Sequence, residues 1–241
     1  MEDEPHGVHD FVYDPRNADV LISINGELKH RDEATVSVFD SGYLLGDGVW
    51  EGLRVKDGAV AFLDEHLKRL YAGAKTIDMD IGLTKDELTT RLFDCLKAQD
   101  MTDGVHIRLM VTRGIKKTPY QGPRFTITKP TIVIIPEYKA PEPEVIEKGL
   151  SLFTVHVRRT GPAEQDQKLN CILACIQADK AGADEGLMLD ADGFVVTGTF
   201  AGVTPVREVD GRTIEHVGGP MAQKITRLYQ DLVKRSLTPI K

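Results

Sequence analysis

Short apolar runs separated by turn residues open the chain, and longer helical stripes follow. Residues 20–30 read Val-Leu-Ile-Ser-Ile-Asn-Gly-Glu-Leu-Lys-His, in which Asn25-Gly26 between two apolar runs predicts a hairpin. Val36–Phe39 reads as a short strand, and Ser41 to Gly48 as a glycine-rich loop. Val49–Val55 and Ala59–Leu63 flank Lys56-Asp57-Gly58 as a second hairpin. Asp64 is placed to cap a helix running to about Ile77, with Leu67, Leu70, Tyr71 and Ala74 on one face. Thr84-Lys85-Asp86-Glu87 has the form of a capping box, and Leu88, Leu92, Phe93 and Leu96 carry the stripe onward. Val105–Thr112 alternates as a strand does, Lys116–Lys129 reads as a loop, and Thr131–Ile135 reads as a buried strand.

Pro141-Glu142-Pro143 interrupts the pattern and predicts a domain boundary, giving domains over 1–140 and 141–241. Beyond it, Leu150–Val157 predicts a strand and Asn170–Ala181 a helix with Ile172, Leu173, Ile176 and Ala178 on its apolar side. Gly186–Leu189 and Phe194–Val196 predict a hairpin, and Thr204–Val209 pairs with Arg212–Ile214 across Asp210-Gly211. Pro220 starts a last helix whose buried side is expected to hold Met221, Ile225, Leu228, Leu232 and Val233. The sum is an α+β chain of two layered domains with a cleft between them.

Composition narrows the function. The 241 residues carry a net charge of −7, without a basic run longer than two, which argues against a nucleic-acid surface. No apolar run reaches membrane-spanning length, and Met1 to Asp10 has no hydrophobic signal region. A cytoplasmic protein is the expectation. Three cysteines, Cys95, Cys171 and Cys175, do not suit a disulfide-built fold. Cys171 and Cys175 read as small helix residues rather than half a metal site, so no metal is expected.

Three features carry candidate chemistry. Lys168 lies between a predicted strand and a helix, where a partly desolvated amine could act as a nucleophile, although a loop lysine is ordinarily solvated. Thr197-Gly198-Thr199 offers backbone N–H groups and a hydroxyl to an anion, or is a plain turn. Arg69 could hold a phosphate by two parallel bonds, or lie on the surface.

The order and spacing of four stretches resemble class IV (fold type IV) pyridoxal-phosphate aminotransferases, of the branched-chain and D-amino-acid kind. They are Gly42 to Arg54, Glu65 to Ala74, Val105-His106-Ile107-Arg108-Leu109-Met110-Val111-Thr112-Arg113-Gly114, and Thr197 to Val206 followed by Asp210-Gly211-Arg212. The resemblance spans nearly the whole chain. It implies a two-domain fold, with a small α/β N-terminal domain and a shortened, β-rich C-terminal cofactor domain. It implies pyridoxal 5'-phosphate as cofactor, and a small, branched-chain-like amino acid and a 2-oxo acid such as 2-oxoglutarate as substrates. By the same likeness Arg69, Gly198 and Thr199 bind the phosphate, and Lys168 bonds the cofactor and moves the proton. Trp50 stands over the substrate, and Arg108 and Arg113 lie on the strand that leads to the substrate carboxylate. Relatives form dimers in which the neighbour's small domain completes each site, so a homodimer is expected.

Two departures accompany the likeness. One Lys-Leu-Asn triplet stands at Lys168 where close relatives carry two, and Val195 runs within two residues into Thr197 where relatives insert several tens of residues. The missing stretch carries the partner of the pyridine nitrogen and a second phosphate turn in relatives. An alternative reading is therefore a catalytically impaired relative that only binds the cofactor or dimerises. A lyase of the same fold is a third.

Overall fold

The computed structural model describes Gly7 and residues 12–140, 143–158, 169–190, 192–196 and 202–241. These fall into two compact units, one built from residues 14–139 with 236–241 and the other from the described residues before 14 together with those between 140 and 235. The last six residues return to the first unit, where the sequence placed them with the second.

The first unit is a seven-stranded sheet covered by helices. Its strands are β1 (Leu21–Ile24), β2 (Glu27–His30), β3 (Gly48–Lys56), β4 (Ala59–Ala61), β5 (Val105–Thr112), β6 (Thr131–Tyr138) and β12 (Leu237–Pro239). Their order is β12-β4-β3-β5-β6-β1-β2, and every pair is antiparallel. Helices α2 (Leu63–Thr76) and α3 (Lys85–Lys97) supply the covering layer. One continuous core unites Leu53, Val55, Ile107, Leu109 and Ile134 of the sheet with Leu67, Leu70, Leu88, Leu92 and Leu96 of the helices. The alternation of β3 and β5 places odd-numbered residues in that core, since successive strand side chains point to opposite faces.

Several local expectations are revised. Val36–Phe39 forms no strand, because only an isolated bridge between Asp40 and Ile115 pairs this stretch; Val36, Val38 and Phe39 lie exposed. The glycine-rich loop begins as a short helix, α1 (Ser41–Leu45), because the Asp40 carboxylate accepts from Gly42 N and Gly46 ends the turn at φ 68°. Gly48 is needed for close approach: a Cβ there would stand 2.6 Å from the Val111 carbonyl oxygen. Asp64 does not cap α2, since the N-cap is Phe62 at φ 54°; Asp64 instead pairs with Lys68 one turn on. The capping box at Thr84 and Glu87 forms as read.

The second unit is a five-stranded sheet in the order β11-β10-β7-β8-β9. Its strands are β7 (Leu150–Arg158), β8 (Glu185–Leu189), β9 (Val195–Val196), β10 (Val206–Val209) and β11 (Arg212–Thr213). Helix α4 (Pro143–Lys148), which the sequence did not signal, precedes β7. Helix α5 (Leu169–Lys180) lies between β7 and β8 in the chain, and these two strands are parallel. Two small clusters form its core among the described residues, Val145 with Leu150 and Val155 with Ala174 and Met188.

The helix faces here are the main correction. Ala174 and Ala178 are the buried residues of α5, while Ile172, Leu173 and Ile176 are exposed. Helix α6 (Pro220–Ser236) buries no residue; Met221, Ile225, Leu228 and Leu232 are exposed and Val233 only half-buried. The stripe is helical and apolar as expected, but the described residues offer it no opposing layer.

Candidate active site

Strand β3 carries two chemically different side chains in succession. Trp50 points away from the core and Glu51 points into it, so each meets a different set of partners.

On the core face, Glu51 is 1% exposed, among Val49, Leu53 and Val55. A carboxylate in that setting requires partners, because an isolated buried charge is strongly disfavoured. Helix α2 supplies two of them from positions three residues apart, which lie on one side of a helix. Arg69 donates from Nε to Oε1 at 2.7 Å and from Nη2 to Oε2 at 2.5 Å. His66 meets Oε2 through Nδ1 at 2.8 Å, and with the carboxylate as acceptor its proton sits on that nitrogen. Burial pushes the Glu51 carboxyl upward, but the hydrogen bonds from Arg69 and His66 outweigh it and hold the group below its ordinary value. The same carboxylate raises the Arg69 guanidinium. Arg69 remains half-exposed at its side chain, and Nη1 makes no hydrogen bond among the described residues. An anion therefore finds one guanidinium edge fixed in place and Nη1 free of hydrogen bonds among the described residues.

On the opposite face, Gly52 of β3 lies beside Arg108 of β5 in the ladder. The Arg108 guanidinium lies over the Trp50 ring, 4.2 Å from its centroid, while the place of a side chain at Gly52 is taken by the His106 ring, whose Nε2 would stand 3.1 Å from a Cβ there. Burial pulls the Arg108 group below its ordinary value, although an arginine stays charged in a protein. Trp50 and Arg108 thus form one aromatic-cation unit, and Arg69 belongs to the other face of the same strand.

Arg113 has a different environment. It donates to both oxygens of Asp47, at 2.8 and 3.0 Å, and to the carbonyls of Ile77 and Asp78, at 2.7 and 2.9 Å. These contacts tie the end of β5 to the turn before β3 and to the end of α2. They fit a structural brace better than a ligand contact. Lys168, Gly198 and Thr199 lie outside the described residues. Glu51 and His66 lie within the motif stretches, but the sequence reading gave them no role. The signal was available: Glu51 interrupts the apolar phase of a strand, and His66 is three residues from the arginine that was singled out.

Among the described residues no group of three His, Cys, Asp or Glu side chains is placed to hold a metal ion, and no helix is long and apolar enough to cross a membrane. Cys171 and Cys175 line an open cavity of the second unit with Ala174, Ala178, Gly186 and Met188.

Comparison with known proteins adds descent to geometry. The amino-transferase class IV profile matches residues 48–211. A putative branched-chain-amino-acid aminotransferase of Methanocaldococcus jannaschii is 44% identical over 185 residues, covering 74% of this chain and 62% of that protein. The Arabidopsis thaliana branched-chain-amino-acid aminotransferase-like protein 2 is 40% identical over 187 residues, covering 75% of this chain and 33% of its own length. This chain thus spans less than two thirds of either curated relative. Among solved structures, the branched-chain aminotransferase of the archaeon Thermoproteus uzoniensis with norvaline superposes with a TM-score of 0.76 at 22% identity. That match covers 92% of this chain and 100% of the other, and it shows a shared fold.

Proposed function

The chain belongs to the class IV aminotransferase family, and on that premise we propose that it transfers an amino group from a small, branched-chain-like amino acid to a 2-oxo acid, using pyridoxal 5'-phosphate. The substrate class follows the printed names of its relatives. The observation that carries the proposal is the Arg69 guanidinium, anchored on one edge by a buried carboxylate and with Nη1 free of hydrogen bonds among the described residues. That donor set fits a phosphate, which two parallel N–H groups recognise best.

Bound pyridoxal phosphate supplies an electron-withdrawing ring that stabilises negative charge left on carbon when a proton departs. The protein's own part is binding and proton movement. Arg69 holds the phosphate, with Gly198 N–H and Thr199 as further donors. Lys168 anchors the cofactor and carries the proton between carbon atoms. Trp50 and Arg108, stacked ring against guanidinium, combine an aromatic group and a cation, suited to an amino acid whose side chain is apolar and whose carboxylate is charged. Arg108 is the first choice for that carboxylate, and Arg113 keeps the end of its strand in place. Assembly as a homodimer, with sites completed by the neighbour, belongs to the same reading. So does a cytoplasmic location.

The test is amino transfer from leucine, valine or isoleucine to 2-oxoglutarate, followed by mass spectrometry of both products. Formation of glutamate and the matching branched 2-oxo acid supports the proposal, and its absence with every donor refutes it.

A second reading, a cofactor-binding or dimerising chain without turnover, is favoured by one observation. The apolar faces of α5 and α6 stand exposed, which is the state expected of a cofactor unit shorter than its relatives'. Cofactor binding with no product from any donor would select it.

A further inference from the structure

We infer that Glu51 and His66 are positioning residues for the phosphate end of the site: they fix the guanidinium plane of Arg69 so that its outer edge is presented to the phosphate. This rests on the proposed role of Arg69 and assigns a function to two residues to which the sequence reading gave none.

The argument begins with where Glu51 stands. A strand residue on the core face between Val49 and Leu53 would ordinarily be apolar, and Val, Ile or Leu would fit the layer. A carboxylate at 1% exposure there gives up hydration that Arg69 and His66 must replace. Replacing such a pair by apolar groups is often neutral or favourable to stability, so stability alone is a weak reason for its presence.

Geometry supplies a better one. An arginine side chain has many rotamers, and a half-exposed one samples them at an entropic cost to any ligand that must select one. Glu51 removes that freedom with two contacts, Nε to Oε1 and Nη2 to Oε2, which define the guanidinium plane as well as its place. His66 approaches from the same helix at 2.8 Å and prevents the carboxylate from rotating about its own bond. Arg69 Nη2 lies 3.3 Å from His66 Nδ1, so the three groups pack as one cluster on β3 and α2. Nη1 makes no hydrogen bond among the described residues, and half of the side chain is exposed. Two rigid elements thus hold one arginine edge, and a phosphate meets a group already ordered, which is how preorganisation raises affinity.

The experiment separates positioning from general stability by comparing ligands with and without phosphate. Dissociation constants for pyridoxal phosphate and for pyridoxal are measured by absorbance titration of the full chain, and their ratio reports phosphate discrimination. E51Q removes the carboxylate, E51D keeps the charge but is too short to span both partners, and R69A removes the guanidinium. Discrimination is expected to fall about tenfold in E51Q and by a similar factor in E51D, since a bidentate charged contact is replaced by a mobile one. Pyridoxal affinity is expected to stay near that of the unchanged chain, which a merely structural loss would not allow. A folded E51Q or E51D with unchanged or higher discrimination overturns the inference, and E51D alone decides if E51Q fails to fold. R69A is the control for the underlying reading. If it loses discrimination while both Glu51 variants keep it, Arg69 remains the phosphate group and only the positioning role falls. If R69A keeps discrimination, the role of Arg69 itself is wrong.

Discussion

Arg69 reaches from helix α2 to strand β3 and places two N–H donors on the two oxygens of Glu51, at 2.7 and 2.5 Å. The pair joins a half-exposed cation to a buried anion, and the consequences of breaking it are unequal. Removing the arginine leaves a carboxylate that is 1% exposed with His66 as its one remaining side-chain partner, whereas removing both charges leaves only a neutral His66 without its acceptor. Arg69→Met is therefore expected to lower stability by about 3–5 kcal/mol, and the double variant Glu51→Met with Arg69→Met to regain much of that loss. Urea unfolding of the two single variants and the double variant measures the coupling. An additive double variant would contradict it.

The same pair sets a pH dependence. The folded-state pKa of Glu51 lies below the ordinary carboxylate value of 4.5. In the unfolded chain the group binds a proton more readily, so its contribution to stability is complete above about pH 4.5 and is lost as pH falls through the lowered folded value. The difference in melting temperature between the unchanged chain and E51Q should thus be constant from neutral pH to about 5 and shrink below 4.5. A difference that grew on acidification would contradict the assignment.

Arg113 and Asp47 define a third expectation. Their paired bonds at 2.8 and 3.0 Å, with the carbonyls of Ile77 and Asp78, hold three chain segments together. Arg113→Lys keeps the charge and loses the fork, and should cost about 1–3 kcal/mol in stability. If the residue acts as a brace, KM for the amino acid should change little in the folded variant; a large rise in KM would restore it as a substrate contact.

Arg108 should behave in the reverse way. Its guanidinium stacks on Trp50, and the residue stands on the strand face away from the core. Arg108→Lys should raise KM for the amino acid about tenfold or more, since a lysine reproduces neither the planar stack nor bidentate carboxylate binding. Steady-state kinetics over a range of donor concentrations checks this. An unchanged KM would remove Arg108 from the carboxylate site.

The exposed stripe of α6 gives a contrast with the core of the first unit. Leu228→Gln should alter stability by no more than about 0.5 kcal/mol, because Leu228 is 58% exposed. Leu88→Ala should cost about 2–5 kcal/mol, because Leu88 is fully buried. Thermal unfolding of both variants at one protein concentration compares them.

Most of the first unit was legible because its signals are local. Alternation in Val105–Thr112, the Asp57-Gly58 turn and the Thr84–Glu87 box each act within a few residues. Val36–Phe39 misled because a strand needs a neighbour, and the residues give no sign that only Asp40 finds one. The last strand, Leu237–Pro239, was missed because its partner, Ala59–Ala61, is far away in sequence. The helices of the second unit were legible as helices but not as buried ones. An apolar stripe such as Ile225, Leu228 and Leu232 states what it could bury, not whether a layer is present to receive it. At the candidate site, motif order singled out Trp50, Arg69 and Arg108 and gave no role to Glu51, which is visible only as a charge in an apolar phase. The separation of Trp50 and Arg69 onto two faces of β3 follows from strand alternation.

The most direct measurement of the central claim is chemical. The full chain is incubated with pyridoxal phosphate, reduced with borohydride, digested and mapped by mass spectrometry, with R69A treated in parallel. A phosphopyridoxyl group on Lys168, sharply reduced in R69A, is the expected result. No stable adduct, or one spread over surface lysines and indifferent to Arg69, would contradict a phosphate-anchored cofactor in this protein.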